Sequence, residues 1–314
     1  MNNFGIPSVD LALFTKGNES ERQKFVAEIG AAYEDVGFVA VKNHGISDEL
    51  IKQLYRWVQD FFALPLDIKC KYEIEGLGGQ RGYTSFGKEH AKNSSAGDLK
   101  EFWHFGQYTS DKSLNYPDNI DVDELPEFNK VGKEAYQQLE KTGQEILKAL
   151  ALFLDLQENY FDEFVEDGNS ILRPIHYPPI KGEPKNAVRA GEHEDINLIT
   201  LLIGASADGL QVKNKKGEWV PVTVLEDHIV VNVGDMLQRL CNGRLKSTTH
   251  RVVNPPREEW GKSRFSIPFF LHPKSSMPLN CLSSCITKEY PKQFDDIIAG
   301  EYLTQRLREI GLIK

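Results

Sequence analysis

The stretch "GEHEDINLITLLIGA", residues 191 to 205, sets His193 and Asp195 one residue apart at the start of a run of apolar and β-branched residues. In an extended strand residues i and i+2 project to the same face, so an imidazole and a carboxylate would converge there while Glu194 points away. A third ligand must come from elsewhere, and the remaining histidines are His44, His90, His104, His176, His228, His250 and His272. His250, in "KSTTHRVV", sits in a later strand pattern, as expected of a distant strand returning beside the first. Two neutral imidazoles and one carboxylate on one face of an octahedron leave three positions open. That donor set suits a ferrous ion that must admit both a co-substrate and dioxygen. The alternative for the pair taken alone is a chance His-x-Asp at the end of an ordinary strand.

A second pair shares the same logic. "SRFSIPFF" directs Arg264 and Ser266 to one face of another strand, toward an apolar interior. An inward guanidinium is costly to leave unpaired, so it predicts an anionic ligand or a buried carboxylate partner. A planar bidentate donor beside a hydroxyl suits a carboxylate terminus. In isolation a structural arginine on an exposed strand is the lesser alternative; one metal pocket explains all five residues together. The neighbourhood of Gly79, Gly82 and Gly87 is not a phosphate loop, because it lacks a strand-to-helix context. No acid–base dyad stands out, so no catalytic acid or base is assigned.

The elements that must position these groups divide the chain. Asn18 or Ser20 can cap a helix over residues 18–35, in which Phe25, Ile29 and Tyr33 recur at helical spacing. "GFVAVKNHGIS" reads as a short strand and turn, and Ser47 can cap the helix "DELIKQLYRWVQDFFAL". Residues 75–125 are rich in Gly, Ser and Asp and predict more loop than element, and a long helix follows over about 125–155. From residue 171 short β-branched runs alternate with turn residues. About eight short strands at near-regular spacing predict a double-stranded β-helix, or jelly roll, rather than alternating βαβ units. The fold class is thus mainly β with flanking helices. A helical N-terminal region (1–170) packs on a jelly-roll core (171–290), closed by a C-terminal helix (291–314), as one structural unit.

Composition narrows the function classes. With 314 residues, 26% charged, and a formal net charge of -9, the chain suits one large domain and no phosphate backbone, so no nucleic-acid partner is expected. No basic and apolar leader opens the sequence and no apolar run approaches a membrane span, which points to a cytoplasmic protein with no membrane partner. Cys70, Cys241, Cys281 and Cys285 lack paired CxxC spacing and read as reduced thiols. Oligomeric state is not legible.

The set His193-x-Asp195, His250 and Arg264-x-Ser266 resembles that of the Fe(II)/2-oxoglutarate-dependent oxygenases, in the branch that includes isopenicillin N synthase and the plant hormone and flavonoid oxygenases. The resemblance covers nearly the whole chain: "GFVAVKNHGIS" is similar to that branch's N-terminal segment, "RGYTSFGKEHA" and "DLKEFWHFG" to its middle, and "GDMLQRLCNGRLKSTTHRVVNP" to the approach to its second histidine. It implies Fe(II) held by His193, Asp195 and His250, and the distal carboxylate of 2-oxoglutarate held by Arg264 and Ser266, with Tyr177 in "HYPP" also reaching the co-substrate. Two departures stand out. Ile175 replaces an asparagine common in plant members, so that contact should be absent, and "NPPREEWGKS" should form a larger surface turn between unmoved strands.

The implied activity consumes O2 and 2-oxoglutarate, releases succinate and CO2, and hydroxylates or desaturates a C–H bond of a small molecule. The resemblance also nominates substrate-pocket residues: Arg81, Tyr83, Phe102, His104, His176, Arg239, Phe270 and His272. The segment at 75–108 is expected to close over the iron, the alternative being a fixed flap packed on the helical front. The substrate is expected to carry an anionic or polar group on an apolar body. Two other readings stay open: a ring-closing oxidase that uses O2 without 2-oxoglutarate, and a non-enzymatic jelly-roll binding protein.

Overall fold

The computed structural model describes residues 5–89, 97–184, 187–204, 209–223 and 227–309. The first half carries β1 (Ser8–Asp10), α1 (Leu11–Thr15), α2 (Glu19–Asp35), β2 (Phe38–Lys42), α3 (Asp48–Ala63), α4 (Leu66–Cys70), β3 (Gly82–Thr84), β4 (Glu101–His104), α5 (Pro126–Phe153) and α6 (Asp162–Val165). The second half carries β5 (Ile171–Leu172), β6 (Ile175–Tyr177), β7 (Ala190–His193), β8 (Ile199–Ile203), β9 (Leu210–Lys213), β10 (Trp219–Pro221) and β11 (His228–Val233). It ends with α7 (Asp235–Leu240), β12 (His250–Val252), β13 (Arg264–Leu271) and α8 (Ala299–Glu309).

Two sheets form the jelly roll. The larger runs β1-β2-β11-β8-β13-β6-β4-β3, with β5 also on β13, and the smaller runs β10-β9-β12-β7. The helical front is therefore not wholly helical. β2 is hydrogen-bonded between β1 and β11, and β3 and β4 extend the sheet beyond β6. The last two strands lie in the segment read as loop from its glycines. They are only three and four residues long, too short for a period-2 pattern to rise above turn chemistry.

Local chemistry explains the helices. Asn18 caps α2 in a capping box with Glu21, each accepting from the other's backbone N–H, and Phe25, Ile29 and Tyr33 are buried as their spacing requires. Ser47 caps α3 by accepting from the Leu50 amide. α5 lies close against the sheet because it carries glycine where it touches. A Cβ at Gly143 would sit 2.3 Å from Leu271 of β13, and one at Gly132 would sit 2.3 Å from the ring of Phe105. This contact backs β13, the strand whose other face carries Arg264 and Ser266. One apolar cluster reaches from Val9 and Phe14 through the buried face of α5 to β8, β11 and β13, and ends on Tyr302 of α8. Within "HIVVNVGDMLQRL" the strand stops at Val233, Gly234 begins a turn, and α7 follows. The final helix starts at Ala299 rather than near 291. Among the described residues no helix is long and apolar enough to cross a membrane.

Candidate metal centre and co-substrate pocket

The three candidate ligands meet where the smaller sheet faces the larger one. β7 and β12 are antiparallel neighbours in which His193 and His250 are direct cross-strand partners, with ring centroids 4.4 Å apart. Asp195 lies two residues past the end of β7, so the turn toward β8, not a shared strand face, delivers its carboxylate. The ligand atoms of His193, Asp195 and His250 all lie within 4.8 Å of one another, the only such group of metal-binding side chains among the described residues.

Hydrogen bonds fix which atoms are free. His193 Nδ1 lies 2.8 Å from the Gly191 carbonyl and His250 Nδ1 lies 3.1 Å from the Thr248 carbonyl. A carbonyl can only accept, so each ring carries its proton on Nδ1 and presents a bare Nε2 lone pair. These Nε2 atoms lie 3.9 and 3.7 Å from Asp195 Oδ1. The other carboxylate oxygen, Oδ2, accepts from Thr200 Oγ1 at 2.6 Å and Asn232 Nδ2 at 2.8 Å. Two lone pairs and an anionic oxygen thus converge with no proton between them, which a divalent cation would satisfy; the residues fit Fe(II). Burial tends to raise the Asp195 carboxyl, but the two imidazoles and the bonds from Asn232 and Thr200 outweigh it and hold it below the usual carboxylate range. His193 opens one edge to the cavity, yet enclosure by protein and the neighbouring His250 push its ring below the ordinary histidine value, keeping it a neutral ligand.

Thr200 and Asn232 were missed in the sequence. An asparagine inside the wholly buried strand β11 was the available signal, since a buried amide needs partners. Replacing Thr200 by valine keeps the shape and removes the donor to Oδ2. Outer hydrogen bonds of this kind are worth about 10- to 100-fold in metal affinity. Thr200→Val should therefore weaken Mn(II) or Fe(II) binding in an equilibrium titration by that factor while the far-ultraviolet circular dichroism stays unchanged; equal affinity would show that Asp195 is oriented without it.

A cavity of about 630 Å³ opens from the triad. Alternation along β13 puts Arg264, Ser266, Pro268 and Phe270 on its wall, with His272 following, while Phe265 and Ile267 face away. β6 pairs with β13 so that Arg264 faces Tyr177 and Ser266 faces Ile175, placing all four around one end of the cavity. Arg264 is 2% exposed and its guanidinium carbon lies 5.0 Å from the Tyr177 ring centroid. Ile175 leaves no amide at that position. Arg189, not anticipated, lies 5.9 Å from the same ring centroid, and burial followed by the charge of Arg264 lowers its pKa. The "NPPREEWGKS" connection holds a single 3₁₀ turn, Arg257–Glu259, outside the strands.

Of the nominated pocket residues, His104, Phe270 and His272 line the cavity. The register sends two others elsewhere, and a third is covered. Tyr83 pairs with Trp103, on the face of β4 opposite His104, where its hydroxyl bonds Glu101. His176 alternates with Ile175 and Tyr177, so it faces outward, stacks on Phe265 and bonds Glu101 and Ser263. Phe102 shares the His104 face, but the Arg173 guanidinium covers its ring at 4.3 Å. Arg81 is buried against Gly106, and Arg239 on α7 bonds the Asp295 carbonyl beside Phe294 and Tyr302. Gly78, Gly79, Gln80, Glu89, Asp98 and Lys100 from the 75–108 segment do line the cavity; residues 90–96 of it, with His90, lie outside the described residues. All four cysteines are free thiols.

His272 supplies a pH signature. Burial lowers its pKa to about 4 from an ordinary 6.5. The native state resists the proton that the unfolded chain accepts, so its contribution is full above pH 6.5, falls as pH drops toward 4 and is absent below. A gap of that size corresponds to about 3 kcal/mol. Urea unfolding of His272→Gln should lose less stability than wild type between pH 6.5 and 4; parallel curves would contradict the assignment.

Residues 6–127 match the family model described as the non-haem dioxygenase in morphine synthesis N-terminal domain, and residues 168–273 match that of the 2OG-Fe(II) oxygenase superfamily. A 2OG-Fe(II) oxygenase family protein from Caulobacter crescentus superposes with a TM-score of 0.88 at 40% identity, over 98% of this chain and all of that one. A full-length Neurospora crassa protein, solved in complex with alpha-KG and thymine, gives a TM-score of 0.85 at 32% identity, over 98% of each chain. A 2-oxoglutarate-Fe(II) type oxidoreductase from Emericella nidulans is 31% identical, over 94% of this chain and 89% of its own. With the facial triad, the arginine–serine strand and the jelly roll already in place, these matches establish that the chain belongs to the 2-oxoglutarate- and Fe(II)-dependent oxygenase superfamily.

Proposed function

We propose that the protein oxidises a C–H bond of a small molecule, by hydroxylation or desaturation, with His193, Asp195 and His250 as the iron ligands and Arg264, Ser266 and Tyr177 as the anchor for the distal carboxylate of 2-oxoglutarate. When bound, Fe(II) and 2-oxoglutarate together supply the oxidising power, with succinate and CO2 as the co-product pair. The chain's own contribution is orientation. Thr200 and Asn232 hold Oδ2 of Asp195 so that Oδ1 faces the two Nε2 atoms, and the backbone carbonyls of Gly191 and Thr248 fix the imidazole tautomers.

The observation that carries the reading is the convergence of two proton-free imidazole nitrogens and one carboxylate oxygen beside a cavity whose far end holds a buried arginine. His104 and His272 are kept neutral by burial, the former also by the Arg173 charge, so neither supplies an acid at neutral pH. The four free thiols accord with a reducing, cytoplasmic setting. The test is product analysis. Purified protein with Fe(II), ascorbate and 2-oxoglutarate should consume O2 and form succinate at a slow basal rate. O2 uptake without succinate would favour the ring-closing oxidase.

A further inference from the structure

The wall of the cavity beyond the triad is heavily charged yet self-neutralised. Lys100 lies 2.6 Å from Glu89 and 2.9 Å from Asp98, and Arg173 Nη1 lies 3.1 Å from Glu89. The side chains of Glu89, Asp98 and Lys100 are all less than 10% exposed. Burial opposes ionisation of both Glu89 and Lys100, but their mutual attraction, with Arg173 and Asp98 adding to it, wins and keeps both charged. Arg173 also donates from Nε to His104 Nε2 at 2.5 Å, and its guanidinium lies between the rings of Phe102 and Phe270 at 4.3 and 5.1 Å. Lys100 and Arg173 each already have a carboxylate, and among the described residues the acidic and basic side chains lining the cavity are equal in number. A substrate carboxylate entering this end would meet Glu89 and Asp98 with no unpaired cation beside them among the described residues, a costly burial.

The same wall holds buried polar atoms with nothing to bond. Asn169 is 8% exposed, lines the cavity, and its Oδ1 has no hydrogen-bond partner; His272, also 8% exposed, has an unpartnered Nδ1. The two sit together, because the Asn169 amide donates to the Pro273 carbonyl and Ser170 Oγ accepts from the His272 amide. Among the described residues Arg173 Nη2 also donates to no acceptor. A guanidinium donor already balanced by Glu89, an amide acceptor and an imidazole, all beside aromatic carbon, form a hydrogen-bonding edge with no net charge. The unmet atoms of Asn169 and His272 are expensive to bury unless a ligand meets them.

We infer that the substrate is uncharged where it meets this wall and carries a lactam or amide edge, its carbonyl oxygen accepting from Arg173 and its N–H donating to Asn169. Of the anionic or polar group expected from the sequence, this selects the polar one, and it rests on the oxygenase reading above. The test uses protein loaded with Zn(II) and then with 2-oxoglutarate, followed by calorimetric titration of 2-pyridone, its 6-carboxamide and its 6-carboxylate. The last two differ in charge at nearly constant shape. The carboxamide should bind at least tenfold more tightly than the carboxylate, and Asn169→Ala and Asn169→Leu, which both remove the acceptor, should each lose tenfold or more for 2-pyridone while 2-oxoglutarate binds as in wild type. Binding of the carboxylate as tightly as the carboxamide, failure of both uncharged probes to bind, or unchanged probe affinity in both variants would overturn the inference. Failure of 2-oxoglutarate itself to bind would overturn the oxygenase reading instead.

Discussion

His193→Ala, Asp195→Ala and His250→Ala should each abolish turnover while leaving the fold largely in place. Each substitution removes one of three protein ligands, and a ferrous ion held by two has neither the affinity nor the fixed open face that the reaction needs. The fold should survive because the triad lies at the cavity rim and the main apolar cluster does not include it. His193 and His250 end or begin their strands, so the β7–β12 pairing loses side chains and no backbone bonds. Asp195→Ala should cost the most stability of the three, because the fold favours this carboxylate and its loss leaves Thr200 Oγ1 and Asn232 Nδ2 without their acceptor. Metal content by mass spectrometry, O2 uptake and circular dichroism check all three. Full activity in any one variant would remove that residue from the ligand set.

Arg264→Ala should raise the 2-oxoglutarate concentration needed for half-maximal succinate formation by tenfold or more. A buried, charge-assisted contact to a carboxylate is worth about 1.5–3 kcal/mol, which brackets that factor. Arg264→Lys should recover only part of it, because a point charge cannot reproduce the planar fork. Ser266→Ala and Tyr177→Phe should have smaller effects, each removing one neutral hydroxyl. An unchanged requirement in Arg264→Ala would mean that the arginine serves the substrate, and the ring-closing oxidase would then regain ground.

The chemistry-bearing residues were legible in the sequence where they obey strand alternation. Arg264 and Ser266 share a face of β13 as their spacing requires, and His250 returns beside His193 in direct cross-strand register. Asp195 was found for a partly mistaken reason: it lies past the end of β7, outside the strand that i, i+2 geometry assumes, and the turn toward β8 brings it in. The substrate wall was less legible because it depends on register between short strands. Tyr83 and His104 look alike as neighbours of a middle segment, yet the β3–β4 pairing sends them to opposite faces. Arg173 and Glu89, which shape the far wall, are 84 residues apart in sequence, and nothing local marks them as partners. Asn169 and His272 likewise meet only through the packing of β5's approach against the end of β13.

The central claim is that one pocket holds Fe(II) and 2-oxoglutarate together, and anaerobic titration tests it most directly. Fe(II) is added to the apo-protein under argon in the absence and then the presence of 2-oxoglutarate, with the visible spectrum recorded. A weak charge-transfer band that saturates at one equivalent of Fe(II), appears only with 2-oxoglutarate, is lost in Asp195→Ala and requires more co-substrate in Arg264→Ala is the predicted result. Stoichiometric Fe(II) binding with no band at saturating 2-oxoglutarate would contradict the account.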